Sequence, residues 1–246
     1  MDDAHADGFA QVYRDDGFAV VRGLLSPELV ARVAADADEI LRSDRVGRWN
    51  ARFHYWRGTG ETPERIEPVV DIAPAIAEAA DSRPLRRHLA AALGDLPRLV
   101  KDKIVLAPPG STGYELHQDF VFYPLCNPDR MIAVAIALDR TTPENGLLRM
   151  YRGQTCRSYT HWQPRALARS EIAQLEAACR PVEVAQEPGD AIFFHSLTPH
   201  GSGPNCSARP RRILHLTFNA ASVGDLYAQQ RRAYLAQIPD LGGSFE

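Results

Sequence analysis

His117 and Asp119, two places apart in the stretch YELHQDFVFYP (residues 114–124), offer an imidazole nitrogen and a carboxylate oxygen at metal-chelating spacing. The run around them is rich in β-formers, and in a strand residues i and i+2 project to the same side. On that reading His117 and Asp119 point together, while Gln118 and Phe120 face away. One histidine and one carboxylate make two-thirds of the His-Asp-His facial set that holds non-haem Fe(II). The third ligand must then come from another segment. The motif alone is not specific, because His5-Ala6-Asp7 matches it as well. That copy sits in a helical or loose end, where i and i+2 diverge by roughly 200° and do not chelate one ion.

A second segment adds chemistry. EPGDAIFFHSLTPHGSGPNCSARPRRILHLTF (187–218) gives a turn, an apolar strand, His195 and His200, a Gly-rich turn, and a further strand headed by arginines. Buried arginine is costly unless paired. A guanidinium fork near a metal suits the far carboxylate of a dicarboxylic acid.

The elements that must position these residues fall into two textures. The first hundred residues read mostly as helix. Ser26-Pro27-Glu28 supplies an N-cap, a first-turn proline and an early acid. The helix they open runs to about Ser43 with Leu29, Val33, Ala37, Ile40 and Leu41 on one face. Two more helices are predicted near 73–80 and 84–93, the second ended by Gly94. From Leu99 onward short β-like runs alternate with the turn signals PPGSTG, CNPD, TPENG, EPGD and GSGPN. A helical piece near 164–179 interrupts them. This pattern predicts a mainly β fold with flanking helices, a sandwich or jelly-roll barrel. No repeat or linker divides the chain. It reads as one domain over 1–246, helix-rich to about 98, a β core over about 99–222, and a helix near 223–238.

Composition narrows the class. The chain has 246 residues, net charge −3 and a pI near 6.2, so no basic field calls for nucleic acid or membrane. Its longest apolar run, MIAVAIAL (131–138), is far short of the roughly 20 residues of a membrane helix. The acidic N-terminus lacks the order of a signal peptide. Cys126, Cys156, Cys179 and Cys206 are widely spaced and form no CxxC pair, which points to reduced thiols in a cytoplasm.

The chain resembles the phytanoyl-CoA dioxygenase family of Fe(II)- and 2-oxoglutarate-dependent oxygenases. KDKIVLAPPGSTGYELHQDF resembles the family's approach to its HxD. IAVAIALDRTTPENGLLRM resembles its next strand and Asn-Gly turn, and PGDAIFFHSLTPHGSGPN…RPRR its distal histidine and arginine block. The likeness covers about 99–220, with only GFAVVRGLLSPE familiar before that. It implies a double-stranded β-helix core, Fe(II) held by His117, Asp119 and His200, and 2-oxoglutarate and O2 as cosubstrates. It further implies that Arg211 pairs with the distal carboxylate of 2-oxoglutarate, with Ser202 and Lys103 as further contacts. The chain departs from the family pattern in two places. MYRGQTC stands where a Pro-Gly-Ser-His turn is usual, and small Ala135 where an aromatic flanks the cosubstrate. Halogenating relatives have a small residue at the Asp119 position, so the resemblance implies hydroxylation or a related oxidation of a small molecule; the Ala/Arg-rich composition fits a bacterial source of high genomic GC, in which such enzymes often tailor secondary metabolites.

Other residues carry two readings each. His195 is an alternative ligand or a hydrogen-bonded structural histidine, and His215 shares strand parity with Arg211 and fits the barrel interior. Arg209 and Arg212 read as surface charges, with Arg212 the substitute for Arg211. Val121 and Tyr123 continue the inward parity of Asp119 and are candidate substrate contacts. The segment 45–57, with Arg52 and Trp56, is a lid over the site or an Arg–aromatic surface loop. Trp162 closes the pocket mouth or packs. Two rival functions remain at this stage, a zinc hydrolase on the same three ligands and a non-catalytic jelly-roll binder. Substrate and oligomeric state are not legible.

Overall fold

Helix α1 (Asp3–Asp16) ends at Gly17, and β1 (Phe18–Val21) follows directly. Ser26 accepts the Leu29 amide through its Oγ and opens α2 (Pro27–Arg42), which buries Leu29, Val30, Val33, Ala37 and Ile40. The computed structural model describes residues 3–42, 64–161 and 163–237. A two-residue strand, β2 (Arg65–Ile66), precedes α3 (Pro74–Ala80) and α4 (Arg83–Leu93). Helix α4 stops at Gly94, whose left-handed φ of 62° lets its amide bond back to Ala90.

The remaining strands are β3 (Pro97–Ala107), β4 (Met131–Ala137), β5 (Leu148–Tyr151), β6 (Pro181–Val184), β7 (Ala191–His195), β8 (His200–Ser202) and β9 (Arg211–Ala220). They form two antiparallel sheets, ordered β1-β7-β4-β9-β3-β2 and β6-β5-β8. Helix α5 (Arg169–Ala178) is the expected interruption between β5 and β6, and α6 (Tyr227–Gln237) is the expected final helix.

All seven residues of β4 are buried, which is why MIAVAIA shows no polar alternation. Its two faces nevertheless do different work. Ile132, Val134 and Ile136 pack with Phe193, Leu214, Leu216 and residues of α1 to α4. Phe193 meets Phe9 edge-on at 5.0 Å in this layer. Ala133 and Ala135 face the other way, into the space between the sheets, with Ile192, Phe194, Ile213, Leu148 and Met150. The same inner face carries Lys103 of β3 and its register partner His215 of β9, two rows along from Ala107 and Arg211.

One element departs from expectation. The run predicted as a strand across 115–123 is not one. His117 makes a single antiparallel bridge to His200, and Asp119–Phe122 then turns into a 3-10 helix. The β-formers Phe120 and Val121 are spent on packing against Leu197, and the Phe120 amide bonds Ser196. Helix α6 braces this turn, with Gln230 donating to the Phe122 carbonyl and the Tyr227 hydroxyl donating to Asp102 of β3 at 2.6 Å. Among the described residues no helix is long and apolar enough to cross a membrane. All four cysteines are free thiols.

Candidate metal centre

Two reciprocal backbone bonds, His117 N–H to His200 O and His200 N–H to His117 O, both 2.9 Å, set the two histidines side by side. Their rings lie 4.3 Å apart. The 3-10 turn then swings Asp119 back under them. Its Oδ1 lies 3.6 Å from His117 Nε2 and 3.9 Å from His200 Nε2. The three donor atoms lie within 4.8 Å of one another, the one such His/Cys/Asp/Glu group among the described residues. The pairing of His117 with Asp119 is therefore as expected, but a turn brings it about and strand parity does not.

The other ring nitrogens fix the orientation of each ring. His117 Nδ1 donates to Glu115 O at 2.7 Å, and His200 Nδ1 donates to Thr198 O at 3.0 Å. Carbonyls accept only, so each Nδ1 carries a proton, and each Nε2 is the nitrogen directed at Asp119 and open to a metal. Burial, with His117 alongside, pushes the His200 ring down to about 4, against the pull of Asp119. Burial pushes the Asp119 carboxyl up, but His200, His117, Lys103 and His215 outweigh it and hold it well below the usual range. Asp119 Oδ2 is buried with no hydrogen-bond partner. Two imidazole nitrogens and a carboxylate converging at this distance, with one carboxylate oxygen orphaned, make a donor set that fits a divalent cation.

A cleft runs from this cluster to Arg211, lined also by Tyr114, Leu148 and Ile213. Arg211 is 1% exposed and donates to the Gly146 carbonyl, while its Nε has no partner. Among the described residues no carboxylate pairs with it. Burial pushes its guanidinium down to about 10, opposed by Tyr114 and Asp139. A buried cation without an anion is an expensive arrangement that a ligand carboxylate would relieve. Ser202 lines the cleft beside it; its Oγ accepts the Tyr114 amide at 3.0 Å, leaving its own proton to donate. The Asn145-Gly146 turn matters here because Gly146, at φ 86°, lies against the Gly203 carbonyl where a Cβ would collide. That close approach presents the Gly146 carbonyl to Arg211.

Lys103 and His215 also line the cleft. Burial pushes the Lys103 ammonium down, with Asp119 opposing, and pushes His215 well below its ordinary value. Arg212 points to the other face, where Asp139 holds its fork at 2.8 and 2.9 Å and Asp38 lies at 2.6 Å. It is a paired structural arginine and no substitute for Arg211. His195 stands apart from the three donors, its Nδ1 accepting the Leu197 amide. Arg209 is exposed. Neither Val121 nor Tyr123 lines the cleft; Val121 packs on Leu197, and the Tyr123 hydroxyl meets Thr217 Oγ1 at 3.0 Å. The parity that grouped them with Asp119 ends where the 3-10 turn begins. Arg52, Trp56 and Trp162 lie outside the described residues.

Comparison with known proteins agrees with this geometry. The profile of the phytanoyl-CoA dioxygenase family matches residues 13–213. Methylphosphonate hydroxylase of Gimesia maris is 33% identical over 210 residues, covering 81% of this chain and 78% of that protein. The chain belongs to the phytanoyl-CoA dioxygenase family. This dioxygenase also matches 2-aminoethylphosphonate dioxygenase of an uncultured bacterium, at 27% identity over 87% of the chain and 81% of the relative. The crystal structure of the epimerase SnoN in complex with Fe3+, alpha-ketoglutarate and nogalamycin RO shares its fold, with a TM-score of 0.75 and 20% identity over 99% and 93% of the two chains. The dioxygenase thus depends on Fe(II), 2-oxoglutarate and O2, and its double-stranded β-helix supplies a His-Asp-His site for the metal. The zinc-hydrolase and binding-module readings fall with that assignment.

Gln118, between His117 and Asp119, is the residue that sequence reasoning passed over. It is fully buried, donates to Leu197 O at 2.6 Å and Arg157 O at 3.0 Å, and accepts the Tyr159 amide at 2.8 Å. These bonds fix the backbone on which both ligands ride. Gln118→Ala is expected to weaken Fe(II) binding by about tenfold, in the range of lost outer-shell support. Anaerobic metal titration measures it, and an unchanged dissociation constant would contradict the role.

Proposed function

We propose that this dioxygenase hydroxylates a compact organophosphonate, with His117, Asp119 and His200 as the iron ligands and Arg211, Ser202 and Lys103 as contacts to 2-oxoglutarate. The observation that carries hydroxylation over halogenation is Asp119 itself, a buried carboxylate directed at the two Nε2 atoms. A carboxylate in that place fills the position a halide would need. The names of the two relatives, each acting on a phosphonate, support the substrate class.

Fe(II) with 2-oxoglutarate would supply O2 activation coupled to decarboxylation of the cosubstrate. The residues supply the rest. His117 and His200, locked by Glu115 O and Thr198 O, present fixed Nε2 atoms. Arg211 and Ser202 hold one end of the dicarboxylic acid so that its other end meets the ligands. The buried walls keep water from the reacting groups. The overall balance is R–H + O2 + 2-oxoglutarate giving R–OH, succinate and CO2. Free thiols on all four cysteines support a reducing cytoplasm as its place.

Incubation with methylphosphonate or 2-aminoethylphosphonate, chloride and 18O2 tests the proposal. The expected product carries one labelled oxygen and forms together with succinate. A chlorinated product, or succinate formation indifferent to both phosphonates, would overturn it.

A further inference from the structure

Arg211 and His215 are the two polar side chains that β9 sends into the cleft. They share one face of the strand, four residues and so about 13 Å apart along it. His215 stands at the metal end. The Phe194 ring lies 4.6 Å from the ring of His200 and meets that of His215 edge-on at 5.5 Å, so one phenyl group packs on both. His215 is 8% exposed, and its Nδ1 is buried with no hydrogen-bond partner. Its register partners on either side offer no side-chain acceptor, since Lys103 of β3 carries an ammonium and Ala135 of β4 only a methyl group. An imidazole carries at least one N–H, and a buried ring nitrogen left unbonded is costly. Such a group in the wall of a ligand cleft calls for a partner that arrives with the ligand.

We infer that His215 donates a hydrogen bond to the metal-side carboxylate of 2-oxoglutarate, so that β9 grips the cosubstrate at both ends, Arg211 at the far carboxylate and His215 at the near one. This deepens, and rests on, the placement of 2-oxoglutarate between Arg211 and the three metal ligands. A 2-oxo acid chelates a metal through its keto oxygen and one carboxylate oxygen. The other oxygen of that carboxylate stays off the metal, and against a buried wall it needs a donor of its own. The unengaged imidazole and the unengaged oxygen answer each other, and a hydrogen bond to an ionised acceptor is the stronger kind. The fold supplies no rival acceptor in the cleft. Asp119 is the one carboxylate that lines it, and its Oδ1 faces the Nε2 atoms of His117 and His200. Held at both ends, the keto acid keeps a single orientation toward the metal.

The test compares 2-oxoglutarate with pyruvate, which keeps the keto group and the metal-side carboxylate and lacks the far one. Each is titrated anaerobically into the Fe(II)-loaded protein and followed by the visible charge-transfer absorption of the chelate. His215→Phe keeps a ring against Phe194 and removes the donor. It is expected to weaken both acids by the same factor, about 10- to 100-fold, as for a lost hydrogen bond to a charged group. His215→Leu gives the same reading if the larger ring disturbs folding. His215→Gln, which restores an N–H, should recover most of the loss on both acids, and Arg211→Met should weaken 2-oxoglutarate alone. Fe(II) affinity without keto acid should stay within about threefold in His215→Phe, less than the loss of outer-shell support to a metal costs. Unchanged binding of both acids in His215→Phe would overturn the inference, and so would a loss confined to 2-oxoglutarate, which would put His215 at the far end. A weakened Fe(II) affinity would also overturn it, marking the ring as support for the metal ligands. An Arg211→Met protein that binds 2-oxoglutarate as wild type does would sink the placement on Arg211 alone, and pyruvate still reads His215 by itself.

Discussion

Asp119→Ala is expected to abolish phosphonate-dependent succinate formation and to weaken Fe(II) binding by more than about 100-fold, beyond the usual cost of losing an outer-shell partner. The same substitution should also lower the melting temperature of the metal-free protein, because the buried Lys103 ammonium loses the carboxylate that opposes the cost of its burial. In the absence of a cation Asp119 is a buried carboxylate with one orphaned oxygen, and its charged form is favoured by His200, His117, Lys103 and His215, so its low pKa is folded-state stability present at neutral pH and lost as the pH falls. Anaerobic metal titration and calorimetry of the apo protein measure the two halves. A variant that loses stability but binds Fe(II) as tightly would assign Asp119 to the fold.

Arg211→Met is expected to raise the KM for 2-oxoglutarate by roughly 30- to 3000-fold, the equivalent of about 2–5 kcal/mol for truncating one partner of a buried charge pair. The cation has no carboxylate of its own among the described residues, so its partner must come with the ligand. Arg211→Lys should rescue little, because an ammonium reproduces neither the bond to Gly146 O nor the fork. The neighbouring Arg212 is the control. Its fork is committed to Asp139 and Asp38, so Arg212→Met should lower the melting temperature and spare the KM for 2-oxoglutarate. Steady-state assays at varied 2-oxoglutarate decide the matter, and equal KM effects from the two arginines would contradict the division of labour.

Much of this architecture is written locally in the chain. The Ser26-Pro27-Glu28 start, the Gly94 stop and the seven-residue apolar run of β4 are properties of short segments, and each forms where the pattern predicts. The residues of the candidate metal centre are also legible as residue types. Their geometry is not. His117 has one bridge to His200 and no ladder, so the β-formers that follow it answer to Leu197 and to α6, which are distant in sequence. Val121 and Tyr123 were grouped with Asp119 by a period that the chain abandons at Asp119. Strand β8 spans only His200–Ser202, and His-Gly-Ser carries no apolar signature by which to find it. The role of Gln118 has no local signature, because a buried amide bonding three backbone groups follows no sequence pattern. Arg211 and Arg212 are adjacent and chemically alike, and only the register of β9 tells which one faces the cleft.

The central claim is that His117, Asp119 and His200 close on one Fe(II) while Arg211 waits for 2-oxoglutarate. Anaerobic titration of the apo protein with Fe(II) and then 2-oxoglutarate, followed by the visible charge-transfer absorption of the chelate, tests it most directly. One metal per chain and a band that saturates with one equivalent of 2-oxoglutarate are expected, absent in Asp119→Ala and displaced to far higher 2-oxoglutarate in Arg211→Met. A wild-type protein that binds Fe(II) and never develops the band, or an Asp119→Ala protein that develops it unchanged, would contradict the account.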